Sequence, residues 1–296
     1  MGSGSTRKIG AIAVVAGLAA AAQVALAVPS HANTGAGVSG GILTVTAQAG
    51  IANRITIGAL PNGDVVVTDT ADPVTAGAGC AQTAANTVTC AGVTGIVVDV
   101  GDLDDKAANG STLPSRLLGG PGADSLRGGG GNDRITGGPG DDDLFGEGGN
   151  DMFPADAVVD GADDVLGGPG IADEATYQAR GVGVRASADG DPGDGEPGEG
   201  DNLGNDVENV TGTFFNDELI GNISGNLLLG QAGDDRLIGH AADDTLVGGP
   251  GADALFGADG ADRLLARDNV MGNDTLTGGA GIDFCDADPL DPLFTC

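Results

Sequence analysis

From Gly119 onward the chain repeats itself every nine residues, and that period constrains its fold more than any other feature. The first unit is Gly119-Gly120-Pro121-Gly122-Ala123-Asp124-Ser125-Leu126-Arg127; GGGGNDRIT, GGPGDDDLF and GEGGNDMFP follow, ending at Pro154. An aspartate holds the sixth place (Asp124, Asp133, Asp142, Asp151) and an apolar side chain the eighth (Leu126, Ile135, Leu144, Phe153). A second array keeps this register, with Asp217, Asn226, Asp235, Asp244, Asp253 and Asp262 at six and Leu219, Leu228, Leu237, Leu246, Leu255 and Leu264 at eight. Three extra residues precede Asp274 with Leu276, after which the nine-residue step resumes at Asp283 with Cys285.

Each unit has two physical halves. Its glycine-rich first six residues tolerate positive φ and close approach of neighbouring chains. Its last three set one aliphatic side chain inward between two outward ones, a minimal strand. Two units make a coil of turn, strand, turn and strand, and coils stack because none can bury its apolar face alone. The expected fold is therefore all-β: a parallel β-roll, or β-helix solenoid, of nonapeptide repeats, preceded by a short strand-rich region. Stacking brings equivalent residues to about 4.8 Å, so aspartates of alternate repeats, Asp124 with Asp142 and Asp133 with Asp151, form ladders along each turn edge. Like charges that close repel, and a cation between turns reverses the sign. Carboxylates and peptide carbonyls, without clustered histidine or thiolate, select calcium over magnesium or zinc. Calcium-coupled folding is expected, because one aliphatic side chain in nine leaves a thin core.

Composition narrows the alternatives. With 57 glycines, no tryptophan, one tyrosine and seven phenylalanines, no large aromatic interior can form. The glycines lack the every-third-residue period of collagen. A formal charge of −31 argues against nucleic acid and anionic membrane surfaces as partners, and for bound cations.

At the N-terminus, Arg7 and Lys8 precede an apolar run from Ile9 to Ala27 and small residues up to Ala32, the grammar of a secretory signal peptide. Cleavage is expected after Ala32, with Ala27 the alternative and a retained anchor the competing reading; no stable membrane insertion is expected after cleavage. Loss of Arg7 and Lys8 with no acid moves the charge from −31 to −33. Export permits disulfides, and Cys80 with Cys90 and Cys285 with Cys296 form two local couples, with free thiols or another pairing as the alternative.

The expected organisation is a signal peptide over 1–32, a strand-rich region over 33–118, a first array over 119–180, an acidic Gly/Pro-rich insert over 181–211 and a second array over 212–296. Strands are expected at Ile42–Thr46, Arg54–Ile57, Val65–Thr68, Thr87–Thr89 and Ile96–Val100. The insert, centred on Asp189–Asp201, reads as a disordered, solvated loop, its carboxylates being candidates for a further ion site.

The pattern G-G-x-G-x-D-x-(aliphatic)-x resembles the hemolysin-type calcium-binding repeat, the RTX nonapeptide, over roughly 119 to 154 and 212 to 286. The whole chain is similar to secreted calcium-binding proteins of high-GC Gram-positive bacteria. The resemblance implies that multiple calcium ions are held by Asp124, Asp133, Asp142, Asp151, Asp217, Asp235, Asp244, Asp253, Asp262, Asp274 and Asp283. It implies that carbonyls such as those of Gly119, Gly120 and Gly122, or Gly248, Gly249 and Gly251, complete the shells. Asn226, Ser224, Ala242 and Ala266-Arg267-Asp268 depart from the pattern, and sites near them are expected to be weak. A Cys285–Cys296 bond is expected to fold the tail over the open coil end.

No catalytic constellation accompanies the repeats. There is no H-E-x-x-H, and the one histidine beyond the signal, His240, stands at a variable repeat position as a solvated turn residue. Gly37-Val38-Ser39-Gly40-Gly41 matches G-x-S-x-G without the strand and helix a nucleophile elbow needs. Paired acids such as Asp141-Asp142 and Asp234-Asp235 recur with the repeat and suit metal or surface better than glycosidase chemistry. The expectation is a secreted or cell-surface calcium-binding protein, not an enzyme. A calcium-dependent adhesion or matrix scaffold with an extracellular partner is the alternative, and a hydrolase with an unrecognised site is less favoured.

Overall fold

The computed structural model describes residues 33–296; the expected signal segment lies outside the described residues. Among the described residues there is no helix, so none is long and apolar enough to cross a membrane. The strands of the N-terminal part are β1 (Thr34–Ser39), β2 (Ile42–Thr46), β3 (Arg54–Ala59), β4 (Val65–Asp69), β5 (Val74–Ala76), β6 (Cys80–Ala84), β7 (Thr87–Cys90), β8 (Gly95–Asp99), β9 (Lys106–Asn109) and β10 (Ser115–Leu118). Short repeat strands follow: β11 (Ser125–Gly129), β12 (Arg134–Thr136), β13 (Asp143–Glu147), β14 (Met152–Pro154), β15 (Asp164–Leu166) and β16 (Glu174–Thr176). After β17 (Arg185–Ser187), β18 (Asn202–Leu203) and β19 (Asn209–Thr211) come β20 (Glu218–Ile220), β21 (Leu227–Leu229), β22 (Arg236–Ala241), β23 (Thr245–Val247), β24 (Ala254–Asp259), β25 (Arg263–Leu265), β26 (Thr275–Ala280), β27 (Phe284–Asp286) and β28 (Leu293–Phe294).

Alternate strands go to opposite faces of a solenoid, as the two-unit coil requires. A 13-stranded sheet runs from β27 through β8 and β2 to β5 on one face. The other face is divided into a nine-stranded sheet, from β18 to β6, and a six-stranded sheet, from β17 to β28. Within the arrays the partners are parallel and 18 residues apart: Leu126 with Leu144, Leu228 with Leu246 and Leu237 with Leu255. The three extra residues before Asp274 are absorbed by a turn, since Leu255 still pairs with Leu276.

The eighth-position side chains form one continuous core between the faces. Leu126, Ile135, Leu219, Leu228, Leu237, Leu246, Leu255 and Leu264 are fully buried. The parallel ladder runs through position 119 without a break, because β8 and β10 pair in the long sheet and β9 pairs with β11 in the other. The coil formed by β2 and β3 lies beyond these, pairing with β8 and β9. Antiparallel β4, β6 and β7 extend the nine-stranded sheet, and the Cys80–Cys90 bond joins opposed residues of β6 and β7. At the other end Cys285 on β27 bonds Cys296 just past β28, so the tail closes the last coil as the spacing predicts.

The acidic insert departs from expectation. It is solvated only in part: Asp189 to Gly193, Pro197 and Gly198 are exposed, but Asp194, Glu199 and Asp201 are buried. Asp194 accepts the backbone N–H groups of Ser187 and Leu203 at 2.8 and 3.0 Å. This is the coil at which the second face changes sheets, with β18 pairing with β15 and β17 with β20. Fourteen residues separate β17 from β18, which belong to different sheets.

Candidate metal centre

The sixth-position aspartates are held by the turns in one repeating geometry. Each but the half-buried Asp283 is almost fully buried, and its Oδ1 accepts the backbone N–H of the equivalent residue one coil earlier. Asp142 accepts from Asp124, Asp151 from Asp133, Asp253 from Asp235 and Asp262 from Asp244, at 2.7 to 2.9 Å. One ladder therefore follows each turn edge, as alternation of the repeats predicts.

The second oxygen has no such partner. Oδ2 is buried and unbonded in Asp124, Asp133, Asp142, Asp151, Asp235, Asp244, Asp253, Asp262, Asp274 and Asp283. A buried ionic oxygen left this way is costly. Except in Asp274, whose unit opens on Ala266, it points at the first glycine of its own repeat, and at several of these glycines a peptide carbonyl of the next coil also arrives. A Cβ on Gly119 would strike both Asp124 Oδ2 and the Gly137 carbonyl oxygen; one on Gly257 would strike Asp262 Oδ2 and the Gly278 carbonyl oxygen. The glycine thus leaves a small cradle lined by a carboxylate and a carbonyl oxygen. Gly248 meets Asp253 Oδ2, its nearest contacts all coming from that side chain. Gly120 and Gly122, like Gly249 and Gly251, have positive φ and lie against a carbonyl of the preceding coil, so close backbone stacking requires glycine there.

Among the described residues no three His, Cys, Asp or Glu side chains converge on one point. A cation here would be held by a carboxylate oxygen together with peptide carbonyl oxygen. Hard oxygen donors on a flexible glycine frame fit calcium, while zinc would want nitrogen or sulfur. Burial, only partly offset by the amide bond, pushes Asp124, Asp151, Asp235 and Asp274 up to about 6 and Asp142, Asp244 and Asp253 up to about 7. Without a cation these carboxylates hold their protons far more tightly than exposed ones.

A family model described as the RTX calcium-binding nonapeptide repeat (4 copies) matches residues 118–153, 202–237, 211–246, 229–264 and 271–288. These are RTX calcium-binding nonapeptide repeats. No curated protein matches the chain.

The RTX geometry extends beyond the nine-residue pattern. Asp105 and Asp173 have the same buried, unbonded Oδ2. Asp105 Oδ1 accepts the Asn53 N–H, and Asp173 Oδ1 accepts the Asp151 N–H at 2.7 Å. They escape notice in the sequence because the steps to Asp124 and from Asp151 are 19 and 22 residues. The surviving signal is an apolar residue two places on, Ala107 and Ala175, both buried. Fifth-position residues form a second, exposed ladder: Asp141, Asp234 and Asp243 accept the N–H groups of Ala162, Ala252 and Ala261. The paired acids are thus one turn ligand candidate and one surface staple.

Asp217 differs from its counterparts. Thr213 stands at the second position of that RTX unit, its N–H reaching Asp217 Oδ2 at 2.6 Å and its hydroxyl reaching Oδ1 at 2.9 Å. Both oxygens are satisfied without a cation. At Asn226 the amide Nδ2 donates to the Glu208 carbonyl, so this departure removes the charge. Upstream, the Arg180 guanidinium is buried and bonds Asp160 and Glu199 at 2.6 and 2.5 Å, while the Tyr177 hydroxyl donates to Asp201 Oδ2 at 3.2 Å. Between the two RTX arrays Asp160, Glu199 and Asp201 thus have protein side chains as partners.

Contrary to expectation His240 is not at a variable place: it occupies the second position of its RTX unit, where the pattern has glycine, within β22, and is exposed with φ of 80°. Left-handed backbone costs an L-residue about 1–2 kcal/mol, so His240→Gly is expected to stabilise the calcium-loaded protein by about 1 kcal/mol, read from its thermal midpoint. No gain would mean that the imidazole makes a compensating contact. Ser39, in the G-x-S-x-G match, ends β1 beside the two-residue turn Gly40-Gly41 of an antiparallel hairpin.

Proposed function

We propose that this is a secreted, non-enzymatic protein that binds several calcium ions, and that binding drives folding of two RTX arrays separated by a metal-independent junction. One observation carries the reading: a row of buried Oδ2 atoms without partners, most aimed at the first glycine of the repeat, which for Asp124, Asp151, Asp235, Asp244 and Asp262 a peptide carbonyl of the next coil also approaches. Asp105, Asp124, Asp133, Asp142, Asp151 and Asp173 would serve the first array. Asp235, Asp244, Asp253, Asp262, Asp274 and Asp283 would serve the second. Calcium supplies the positive charge that makes these ladders tolerable; the chain supplies oxygens already arranged by parallel stacking. The signal-like N-terminus and the two disulfides support export to an oxidising compartment with calcium in excess.

Asp253 and Asp217 provide the test, because both hold the sixth position and only one lacks partners. Asp253→Asn is expected to lower the calcium stoichiometry and to raise the calcium concentration at the folding midpoint about tenfold. Asp217→Asn is expected to leave the stoichiometry unchanged. Titration calorimetry with circular dichroism reads both. Equal stoichiometries for Asp253→Asn and the natural protein would remove the basis of the assignment.

A further inference from the structure

The described residues contain all 43 acids and all but two of the 12 Lys and Arg residues, yet one groove on the nine-stranded sheet is lined by cations. Arg54, Lys106 and Arg127 face it together with Thr56, Thr70 and Ser125, around a volume of about 300 Å³. Arg54 and Lys106 are direct neighbours on parallel β3 and β9, and Lys106 is the neighbour of Ser125 on β11. Neighbouring strands lie about 4.8 Å apart, and like charges placed side by side on them are destabilising. Among the described residues neither Arg54 nor Lys106 makes an ion pair. Arg127 lies over the Phe145 ring at 3.9 Å and pairs with Glu147 at 3.3 Å, which fixes its guanidinium beside the groove. One strand further along, Asp143 takes the place next to Ser125 and Asp164 follows, so the positive stretch has a defined end.

We propose that this groove binds the sulfate esters of an extended anionic glycan. Guanidinium forks and an ammonium match tetrahedral oxyanions, and the three hydroxyls can donate to further oxygens. The cations are spread over three strands along an open surface, which suits several anionic groups on one polymer better than a single ion. A sulfate monoester is also a weak calcium ligand, so it can occupy this groove while calcium fills the turns; carboxylate-rich or phosphate-rich polymers would compete for that calcium. The site is independent of the RTX carboxylates, which lie on the turn edges and not on the outer strand face.

The test uses the full secreted protein in saturating calcium, with a trisulfated heparin disaccharide as probe in titration calorimetry. Arg54→Gln and Lys106→Gln are each expected to weaken binding roughly tenfold. Arg116→Gln, which removes an equal charge from β10 on the opposite sheet, is expected to leave it unchanged, and added sodium chloride should weaken it in the natural protein. Unaltered calcium stoichiometry and β signal verify that each variant is folded; both groove residues are exposed, and either suffices if the other misfolds. No binding to the natural protein, undiminished binding to the groove variants, or equal binding of the unsulfated disaccharide would overturn the proposal. Inorganic sulfate binding as tightly as the disaccharide would overturn the extended ligand.

Discussion

In excess chelator at about pH 8 the protein is expected to lose most of its far-ultraviolet β signal, and to regain it both in millimolar calcium and, without calcium, on acidification to about pH 5. The sign follows from the ladder aspartates. Their folded-state values stand at about 6 for Asp124, Asp151, Asp235 and Asp274 and about 7 for Asp142, Asp244 and Asp253, against an ordinary 3.8. Raised carboxylates mean that the folded state binds more protons than the unfolded chain between about pH 4 and 7. The stability of the calcium-free fold is therefore fully present in acid and is lost as pH rises through that window. Each tenfold difference in proton affinity is worth about 1.4 kcal/mol. Several such groups acting together weigh heavily against a typical folding free energy of about 5–15 kcal/mol.

Calcium reverses the trend, because protons compete with it for the same oxygens. In limiting calcium the affinity should fall as pH drops below about 7. Circular dichroism across a pH series, with chelator and with calcium, measures both limbs. A calcium-free protein equally folded at both pH values would show that the ladders are not the source of the coupling.

Arg180→Met is expected to destabilise the calcium-loaded protein by about 3–5 kcal/mol, lowering its thermal midpoint by about 10 °C. The guanidinium is fully buried between Asp160 and Glu199, so its removal strands two carboxylates in the protein interior. Raising calcium should not restore the loss, since the junction draws its positive charge from the chain. Replacing the partners as well, with Asp160→Asn and Glu199→Gln in the same protein, should recover part of it. Full rescue of Arg180→Met by calcium alone would mean that the junction is an ion site after all.

Legibility in the sequence followed the periodicity. Leu126 and Leu144, or Leu237 and Leu255, stand one coil apart in the sequence and are register partners in the sheets. A side chain of fixed inward direction recurring at a fixed interval admits few other arrangements. The local Cys couples were readable because their loops are short. Asp105, Asp173 and Arg180 were not: their partners lie 19 to 22 residues away across turns of unequal length, and turn length is free to vary once strand register is set by stacking. Thr213 was equally silent, since the hydroxyl bond that satisfies Asp217 depends on how one turn is bent.

The nine-residue alternation of glycine, aspartate and aliphatic residues sufficed to specify a parallel coil and its two ladders of acids, because each follows from nearest-neighbour stacking of identical units. Long-range packing settled the rest: which carboxylates keep an unbonded oxygen, where Arg180 and Thr213 neutralise the ladder instead, and how Arg54, Lys106 and Arg127 come to share one face. Those outcomes depend on side chains far apart in the chain meeting across coils, and only the folded solenoid brings them within bonding distance.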